Sequence, residues 1–418
     1  MVRVLRSLLF LGALVTAGAS VAQDVGERAD LVGGADISLI AVSGYESWTD
    51  GLVGKLRFSD DGVYLGRAFV DFDGRLTDTL KASFAVEAYG DDLGNAVDLT
   101  EAFLEWRPVP RSANRYRVKV GAFYPRISLE NVESGWTNPY LQNSSAINTW
   151  VGEELRAFGT ELSWSRKPPS LDGRQEFGIN AAVFWGNDPA GSLLAWKGWS
   201  IHDRQSRFSD KLPLPPLPQI QPGGVFEEQD PYVEPFREID DSAGYYVNLE
   251  WRIANRLLIR AMTYNNEADP TAHDSGQYAW YTEFEHIGLQ ATLPGGVGLI
   301  AQWMDGSTVM GPNLGGGIHP VDVEYDSYFA LLTKQWGSHR VSARYDNFGM
   351  TQNDSTREDN NPESGHGWTV GYRYQMTDGF ALRVEWLSIK THRCAHVYYR
   401  LDPTVTEEQA QLTLQLRF

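Results

Sequence analysis

Polar and apolar residues alternate along this chain with a period of two, most clearly at its C-terminal end. Ala410, Leu412, Leu414, Leu416 and Phe418 fall on one face of a strand, whereas the positions between them are Gln, Thr or Arg. One apolar face and one polar face suit a strand that has lipid on one side and water on the other. Because the run ends on an aromatic residue, we expect Leu412, Leu414, Leu416 and Phe418 to form a signal for membrane assembly.

Similar strand-like runs recur along the chain, separated alternately by tight turns and by long polar connections. Residues 76–78 and 337–338 have the composition of turns, whereas residues 310–320 and 353–365 are long and polar. This rhythm predicts an all-β fold, a transmembrane antiparallel β-barrel with short periplasmic turns and long extracellular or infolded loops. About 16 strands are predicted, near residues 50–58, 62–74, 79–90, 96–107, 114–124, 153–165, 174–186, 242–253, 255–266, 277–292, 296–305, 321–336, 339–349, 366–376, 379–391 and 407–418.

The N-terminus has the pattern of a secretory signal peptide. Arg3 and Arg6 precede an apolar run, and small residues at positions 20–22 suit a cleavage site. A retained anchor helix is the weaker interpretation, because the apolar run is shorter than the ~20 residues that a membrane-spanning helix needs. We therefore predict a signal peptide over residues 1–22, a lead-in over 23–49 and an outer-membrane barrel over 50–418, located in a Gram-negative cell envelope.

The amino-acid composition restricts the kinds of molecule that this protein is expected to bind. The chain has 36 Lys and Arg against 54 Asp and Glu, a net charge of −18, which excludes nucleic acid as a natural partner. Its 14 Trp and 19 Tyr suit the aromatic girdles of a membrane barrel. The single cysteine, Cys394, excludes internal disulfides. Outer-membrane lipid, lipopolysaccharide and the barrel-assembly machinery are the expected partners.

Motifs for catalysis or cofactor binding are weak. His392, Cys394 and His396 alternate along one run, but no clear fourth metal ligand accompanies them. No Gly-x-Ser-x-Gly motif stands out, and Gly295-Gly296 has the composition of a turn. The sequence therefore predicts no enzyme activity, no metal and no cofactor.

The strand face opposite the lipid carries many charges. Along residues 62–74, the alternation turns Tyr64 and Ala68 outward and Arg67 and Asp71 inward. A barrel of about 16 strands encloses an aqueous channel, and charges on its wall set the field that solutes feel. Each charge can either contact solutes or support the wall through a salt bridge. The predicted pore-lining residues are Arg67, Lys81, Glu87, Glu101, Glu105, Arg117, Lys119, Arg260, Arg344, Arg373 and Arg383, with Arg67, Lys81, Arg117 and Lys119 expected to form a basic patch.

Two connections, residues 125–152 and 187–241, are much longer than the others. Each can fold inward to narrow the channel or cover its mouth, and the sequence leaves both arrangements open. The first connection supplies rigid aromatic surface and fixed charge that suit a constriction. Its candidate constriction residues are Glu130, Glu133, Trp136, Tyr140 and Trp150.

The stretch from Gly66 to Trp164 resembles the phosphate-selective porin family of Gram-negative outer membranes. The resemblance implies a barrel of 16 strands, commonly trimeric, that conducts anions. The loop after Pro125 lacks a dense series of Lys and Arg, so no phosphate-binding residue is assigned to any position here. The segments that carry the resemblance are residues 66–74 (GRAFVDFDG), 99–106 (LTEAFLEW), 120–125 (VGAFYP), 128–131 (SLEN) and 154–159 (ELRAFG).

Two functions from different classes follow from these features. The first is a porin, a water-filled channel for passive diffusion of small ions or hydrophilic solutes, with a preference for phosphate-like anions and a homotrimeric state as the resemblance implies. The second is a plugged barrel that acts as a surface adhesin or a lipid-modifying enzyme. Channel conductance separates them, because a plugged barrel is electrically silent.

Overall fold

Sixteen antiparallel strands close into one barrel in the computed structural model, which describes residues 29–91, 93–168, 174–254, 256–356 and 358–418. Each strand pairs with its neighbours in sequence order, and the last pairs with the first. The predicted all-β barrel is confirmed. The predicted signal peptide lies outside the described residues. The strands are β1 Ala29–Ser43, β2 Gly62–Arg75, β3 Leu80–Ala88, β4 Val97–Trp106, β5 Asn114–Phe123, β6 Ala157–Arg166, β7 Gln175–Trp185, β8 Gly244–Ile253, β9 Leu257–Asn265, β10 Tyr281–Leu293, β11 Val297–Met310, β12 Val321–Trp336, β13 His339–Gln352, β14 Glu363–Thr377, β15 Phe380–Arg393 and β16 Thr404–Arg417.

The connections carry the few helical segments of the described chain. Two α-helices lie in the two longest connections, α1 Ala146–Glu154 and α2 Ser192–Lys197. Among the described residues, no helix is long and apolar enough to cross a membrane. Short 3₁₀ helices occupy Trp48–Asp50, Ser134–Trp136, Pro218–Ile220, Pro294–Gly296 and Cys394–Tyr399, and two-residue strands pair Leu212–Pro213 with Tyr232–Val233 and His273–Asp274 with Gln277–Tyr278.

The first strand lies elsewhere than the sequence pattern indicates. β1 falls inside residues 23–49, which we interpreted as a lead-in, and the strand predicted near residues 50–58 is absent from that segment. Polar and apolar residues do not alternate clearly along β1, because the apolar residues Gly34 and Ile40 lie on its inward face. Residues 50–58 instead belong to the first loop, where Lys55 pairs with Glu363 of the wall at 2.6 Å.

One inserted residue changes the side-chain direction within β2. The pairing of β1 with β2 shifts at Gly66, which has no partner in the ladder. Tyr64 consequently lies opposite Ser38, whose hydroxyl is 2.7 Å from that of Thr413 inside the barrel. The prediction that Tyr64 faces outward is therefore wrong, since one extra residue reverses a period of two.

The barrel closes where β16 meets β1. Leu414 lies opposite Ile37 on the outer face. Phe418 exchanges two backbone hydrogen bonds with Gly33, each 3.0 Å long. A Cβ atom on Gly33 would lie 2.3 Å from the Phe418 ring. A glycine at this position thus makes room for the aromatic ring at the closing seam.

The outer surface is apolar around the middle of the barrel. Trp303, Tyr328 and Trp368 are exposed there, as are Leu104 and Leu162 on the opposite side. An apolar band edged with aromatic rings is the surface that a bilayer requires of a barrel. Among the described residues, the short turns lie at the end of the barrel where β1 begins and β16 ends, as predicted, and the long loops lie at the other end.

The largest apolar core lies inside the barrel rather than on its surface. The two longest loops pack α1 and α2 against the inner wall of β9–β15. Apolar side chains from both sides meet there and exclude water. The wall residues of this core include Tyr264, Phe284, Ile300, Phe329, Leu331, Phe348 and Leu387. The charged inner face predicted from the sequence therefore describes only part of the wall.

Candidate functional site

The first long loop, residues 124–156, crosses the barrel interior. Its backbone N–H groups donate to inward side chains of strands that lie far apart: Leu129 to Gln302 on β11 at 2.9 Å, and Asn143 to Glu385 on β15 at 3.0 Å. The helix α1 begins at Ala146, and the side chain of Ser145 before it caps the helix by accepting from the backbone N–H of Asn148. Of the two arrangements left open by the sequence, this loop adopts the inward one.

A buried ion pair fixes this loop to the wall. Arg344 of β13 lies 3.1 Å from Glu130 of the loop and 2.7 Å from Asp346 of its own strand. The same guanidinium donates to the carbonyl oxygens of Asn143 and Ser144, both at 2.8 Å. The Arg344 guanidinium is buried, and these acceptors occupy its donor groups. Arg344 therefore anchors the loop and has no free donor for a solute.

The other predicted constriction residues differ in how deeply their side chains are buried. Trp150 is buried, and its ring meets those of Trp199, Phe284 and Tyr325 edge to face. Trp136 stacks on Tyr124 with ring centroids 4.4 Å apart. The Arg340 guanidinium lies 5.3 Å from the Tyr140 ring, and Glu133 is exposed. Glu133 is thus the exposed candidate, and Trp136 and Tyr140 are half-buried.

The second long loop, residues 186–243, also enters the barrel and is hydrogen-bonded to the first. The Glu154 carboxylate at the end of α1 accepts hydrogen bonds from the backbone of Leu193 at 2.9 Å and Leu194 at 3.0 Å, and from the Trp150 indole at 2.6 Å. Burial raises the pKa of Glu154 to about 7, although these donors oppose the rise. The two loops therefore share one buried carboxyl group and form a single inserted unit.

All eleven predicted pore-lining residues lie on the inner face of the barrel. The strand register places Lys81 opposite Glu105, Glu105 opposite Lys119, and Arg373 opposite Arg383. Since side chains directly opposite each other in a ladder share a face, these residues point to one side of the sheet. Which of them contact a solute stays a prediction.

The predicted basic patch is largely neutralised by neighbouring carboxylates. Arg67 pairs with Glu87 at 2.5 Å, and Lys81 pairs with Asp73 at 2.7 Å. Arg117 pairs with Glu161 at 2.9 Å. Shared parity alone does not predict these pairings, because the cross-strand register decides them. Wall support is the role that these contacts favour for Arg67 and Lys81.

A different set of arginines stands together without carboxylate partners. Arg340 of β13, Arg373 of β14 and Arg383 of β15 occupy successive opposite positions in the register. Within the described part of the chain, their hydrogen bonds go to backbone carbonyls and to the side chains of two glutamines, Gln335 and Gln375. Arg340 was missing from the predicted pore-lining residues, although it shares the parity of Arg344 on the same strand. We call Arg340, Arg373 and Arg383 the arginine row.

A second basic region faces a cavity of about 290 Å³ near the periplasmic turns. Arg117 is the one predicted residue on its wall. Arg126, which begins the inserted loop, lies 3.5 Å from Glu250. Arginines outnumber the acidic groups around the cavity. Its charged lining residues are Arg107, Arg115, Arg117, Arg126, Arg252, Glu176 and Glu250.

Comparison with known families agrees with the resemblance seen in the sequence. The family model described as phosphate-selective porin O and P matches residues 53–175. This segment runs from the first loop through the first inserted loop to β7, and it contains every motif that carries the resemblance. None of the curated proteins matches this chain.

Solved structures share the barrel at low sequence identity. The chain is similar to the anion-selective porin from Comamonas acidovorans, with 14% identity, a TM-score of 0.50 and coverage of 93% of this chain and 99% of that chain. It is also similar to the outer membrane channel DcaP of Acinetobacter baumannii, with 10% identity, a TM-score of 0.51 and coverage of 93% and 97%. Salmonella typhi OmpF gives 12% identity, a TM-score of 0.51 and coverage of 94% and 99%. At these identities the likeness shows the fold.

Proposed function

We propose that this protein is a porin of a Gram-negative outer membrane, a water-filled channel through which small hydrophilic solutes diffuse passively with a preference for anions. The observation that carries the proposal is a closed barrel of sixteen strands whose inner wall holds arginines that have no carboxylate partner among the described residues. Such charges stay hydrated in a channel and attract ions of opposite sign. The family model for phosphate-selective porins supports the same function.

The contrasting proposal is a plugged barrel that serves as an adhesin or a lipid-modifying enzyme. The observation that favours it is the core that the two inserted loops build against β9–β15. Purified protein in a planar bilayer separates the two proposals. Discrete, ohmic current steps support the porin, whereas folded protein that inserts without current supports the plugged barrel.

Replacing Arg117 and Lys119 with Gln should shift the reversal potential under a KCl gradient toward cation preference. Both side chains lie on the inner face of β5, and Arg117 balances Glu161 at 2.9 Å and Glu105 at 3.5 Å. Their removal leaves these carboxylates without a counter-charge. The shift should be larger at low salt, because the Debye length falls from about 10 Å at 0.1 M to about 3 Å at 1 M.

A control removes a charge at the periplasmic end of β6, by replacing Arg166 with Gln. Arg166 lies opposite Phe177 on the outer side of the sheet. This variant should keep the wild-type reversal potential. A wild-type channel that already prefers cations at low salt would contradict the proposed anion preference.

We also propose that the barrel is a homotrimer. Ala35, Ala68 and Ala88 lie opposite one another across β1, β2 and β3, and form a cluster of small side chains with Leu416 on the outer face. A surface without large side chains allows two barrels to approach closely. Sedimentation of the detergent-solubilised protein should give three times the mass of the chain, and a monomeric mass rejects the proposal.

A further inference from the structure

We propose that a groove on the outer wall of the barrel, near its extracellular end, docks the phosphorylated sugar headgroup of a glycolipid in the outer leaflet of the membrane. The groove runs across β12, β13, β14 and β15 and has a volume of about 400 Å³. Docking requires that the barrel lies in an outer membrane, but it does not require that the barrel conducts. We call this feature the outer groove, and its main lining residues are Asp326, Asn347, Gly349, His366, Lys390 and His392.

The side chains around the outer groove lie on the lipid side of the strands. Ile389 and Thr391, the neighbours of Lys390 along β15, are both buried on the inner side. Because successive side chains of a strand point to opposite faces, Lys390 faces outward. His366 of β14 lies opposite Lys390 and therefore faces outward with it, as does Thr406 of β16.

The outer groove lies directly above exposed aromatic side chains. Trp368 is the next outward residue below His366 on β14, and Trp386 lies one turn of the alternation further below Lys390 on β15. The Tyr345 ring lies between them, with its centroid 4.8 Å from that of Trp368 and 6.2 Å from that of His366. Trp and Tyr gather where the hydrocarbon of a membrane meets its headgroups. The groove is therefore at the level of the headgroups of the outer leaflet.

A glycine keeps the floor of the outer groove open. Gly349 of β13 faces outward between Asp326 of β12 and Ser364 of β14. A Cβ atom on Gly349 would lie 2.9 Å from Oδ1 of Asp326, so the Asp326 side chain leans across this glycine. Glycine within a strand is typical of a place where another molecule approaches the backbone closely.

The β14–β15 side of the outer groove offers donors for a phosphate group. The Lys390 side chain is exposed and forms no ion pair with any residue in the described part of the chain. His392 lies next to it, and its Nδ1 is 2.8 Å from the hydroxyl oxygen of Thr404. When Nδ1 accepts from this hydroxyl, Nε2 carries the ring hydrogen and can donate it to a phosphate oxygen. An ammonium group and an oriented N–H together suit one phosphate.

The β12–β13 side of the outer groove offers acceptors for hydroxyl groups. Asp326 is exposed and lies opposite Asp305, which in turn lies opposite Glu285. Asn347 donates to the carbonyl oxygen of Gly365 at 3.3 Å, which leaves its own side-chain oxygen available to accept. This side repels a bare phosphate ion, whereas sugar hydroxyls donate to carboxylate and amide oxygens. A phosphorylated sugar therefore suits both sides, with its phosphate near Lys390 and its hydroxyls near Asp326.

The wall below the outer groove makes a lipid, rather than a soluble sugar phosphate, the expected occupant. Trp368, Val370 and Tyr372 are exposed at successive outward positions of β14, as are Trp386 and Val384 on β15. Acyl chains attached to a headgroup in the groove would lie along this apolar surface. The polar groove and the apolar wall beneath it thus match the two parts of one amphipathic molecule.

The test titrates the detergent-solubilised barrel with bisphosphorylated lipid A and counts the bound lipid molecules by mass spectrometry of the intact complex. Lipid A should bind in a saturable manner. Lys390→Gln should raise the half-saturating concentration by about tenfold, the loss expected when a charge-assisted hydrogen bond disappears. His392→Gln, which removes the ring donor but no fixed charge, should raise it by less.

The matched control is Arg166→Gln, which also removes a positive charge from the outer wall. Arg166 lies opposite Phe177 at the periplasmic end of β6, far from the outer groove, so this variant should bind lipid A like the wild type. Equal effects of Arg166→Gln and Lys390→Gln would overturn the proposal. A second comparison needs no variant: lipid A from which the phosphates have been removed should bind the wild-type barrel much more weakly. Equal binding of the two forms of lipid A would also overturn the proposal.

Competition with sodium phosphate distinguishes a lipid from a free anion. Sodium phosphate in large excess should leave lipid A bound, whereas displacement at equal concentration would identify a site for soluble anions and reject the lipid.

Conductance in planar bilayers separates this proposal from the porin function. If the folded barrel carries no current but binds lipid A in a manner that depends on Lys390, the outer groove is supported and the porin function fails. If the barrel conducts but binds no lipid A in a saturable manner, the proposal for the outer groove fails alone. Heat-modifiable migration on gels verifies that each variant is folded.

Discussion

Replacing Leu414 with Asp should prevent most of the protein from reaching the folded, heat-modifiable state. Leu414 lies on the outer face of β16, opposite Ile37 of β1 and Leu382 of β15. A carboxylate in the apolar band costs on the order of 2 kcal/mol. The cost falls on the strand that closes the barrel, so it affects the last pairing that makes the structure cyclic. Deleting Phe418, which removes both hydrogen bonds to Gly33, should act in the same direction.

The control for this prediction is Thr406→Asp on the same strand. Thr406 also faces outward, but it lies near the extracellular end of β16, opposite Lys390. There the new carboxylate meets water and a cation instead of lipid, and the barrel should fold normally. The measurement is the fraction of protein that shifts in mobility on heating before electrophoresis. Normal amounts of folded barrel for both Leu414→Asp and the Phe418 deletion would contradict the membrane assignment of this strand.

Removing residues 134–148 should raise the single-channel conductance severalfold. This segment contains the loop tip that contacts Arg340 and Arg383, and it includes the first residues of α1. Its loss opens the lumen beside the arginine row and frees Glu385 from the backbone of Gln142 and Asn143. The measurement is the current step of single channels in 1 M KCl, where surface charge is well screened.

The matched deletion removes residues 313–317 from the connection between β11 and β12. Gly315, Gly316 and Gly317 have no neighbouring atom within reach of an added Cβ, so this loop projects into open space. Its removal should leave the conductance unchanged. If the 134–148 deletion folds and conducts like the wild type, the inserted loop does not limit the current.

Much of the barrel could be predicted from the sequence because a period of two is a local property. From β2 onward, each predicted strand overlaps the strand that the structure shows, and β12 has the predicted bounds of 321–336. β1 could not be recognised, since its glycines and inward Ile40 break the contrast between the two faces. The inward direction of the Tyr64 side chain depends on Gly66, which has no partner in β1. This effect can be seen only when the two strands are aligned.

The candidate site was less predictable, because cross-strand neighbours decide whether each charged side chain has a partner of opposite charge. Parity alone placed Arg344 and Arg373 on the same inner face. Arg344, however, pairs with Glu130 and Asp346, whereas Arg373 has no carboxylate partner in the part of the chain that the structure describes. Register and loop position distinguish the two, and neither can be read from the alternation of one strand. Glu130 of the loop, a predicted constriction residue, instead forms a buried ion pair with Arg344 that holds the loop in place.

The apolar core inside the barrel divides the wall of β9–β15 into two levels. Inward positions in the extracellular half of these strands, such as Phe284 and Phe348, lie in a dry interior like that of a water-soluble protein. Inward positions near their periplasmic ends, such as Arg340 and Arg373, border a cavity. A substitution at the first level acts on the stability of the folded barrel, whereas a substitution at the second level changes the lumen surface and leaves the core packed. One half of this wall is a scaffold, and the other half is an adjustable surface.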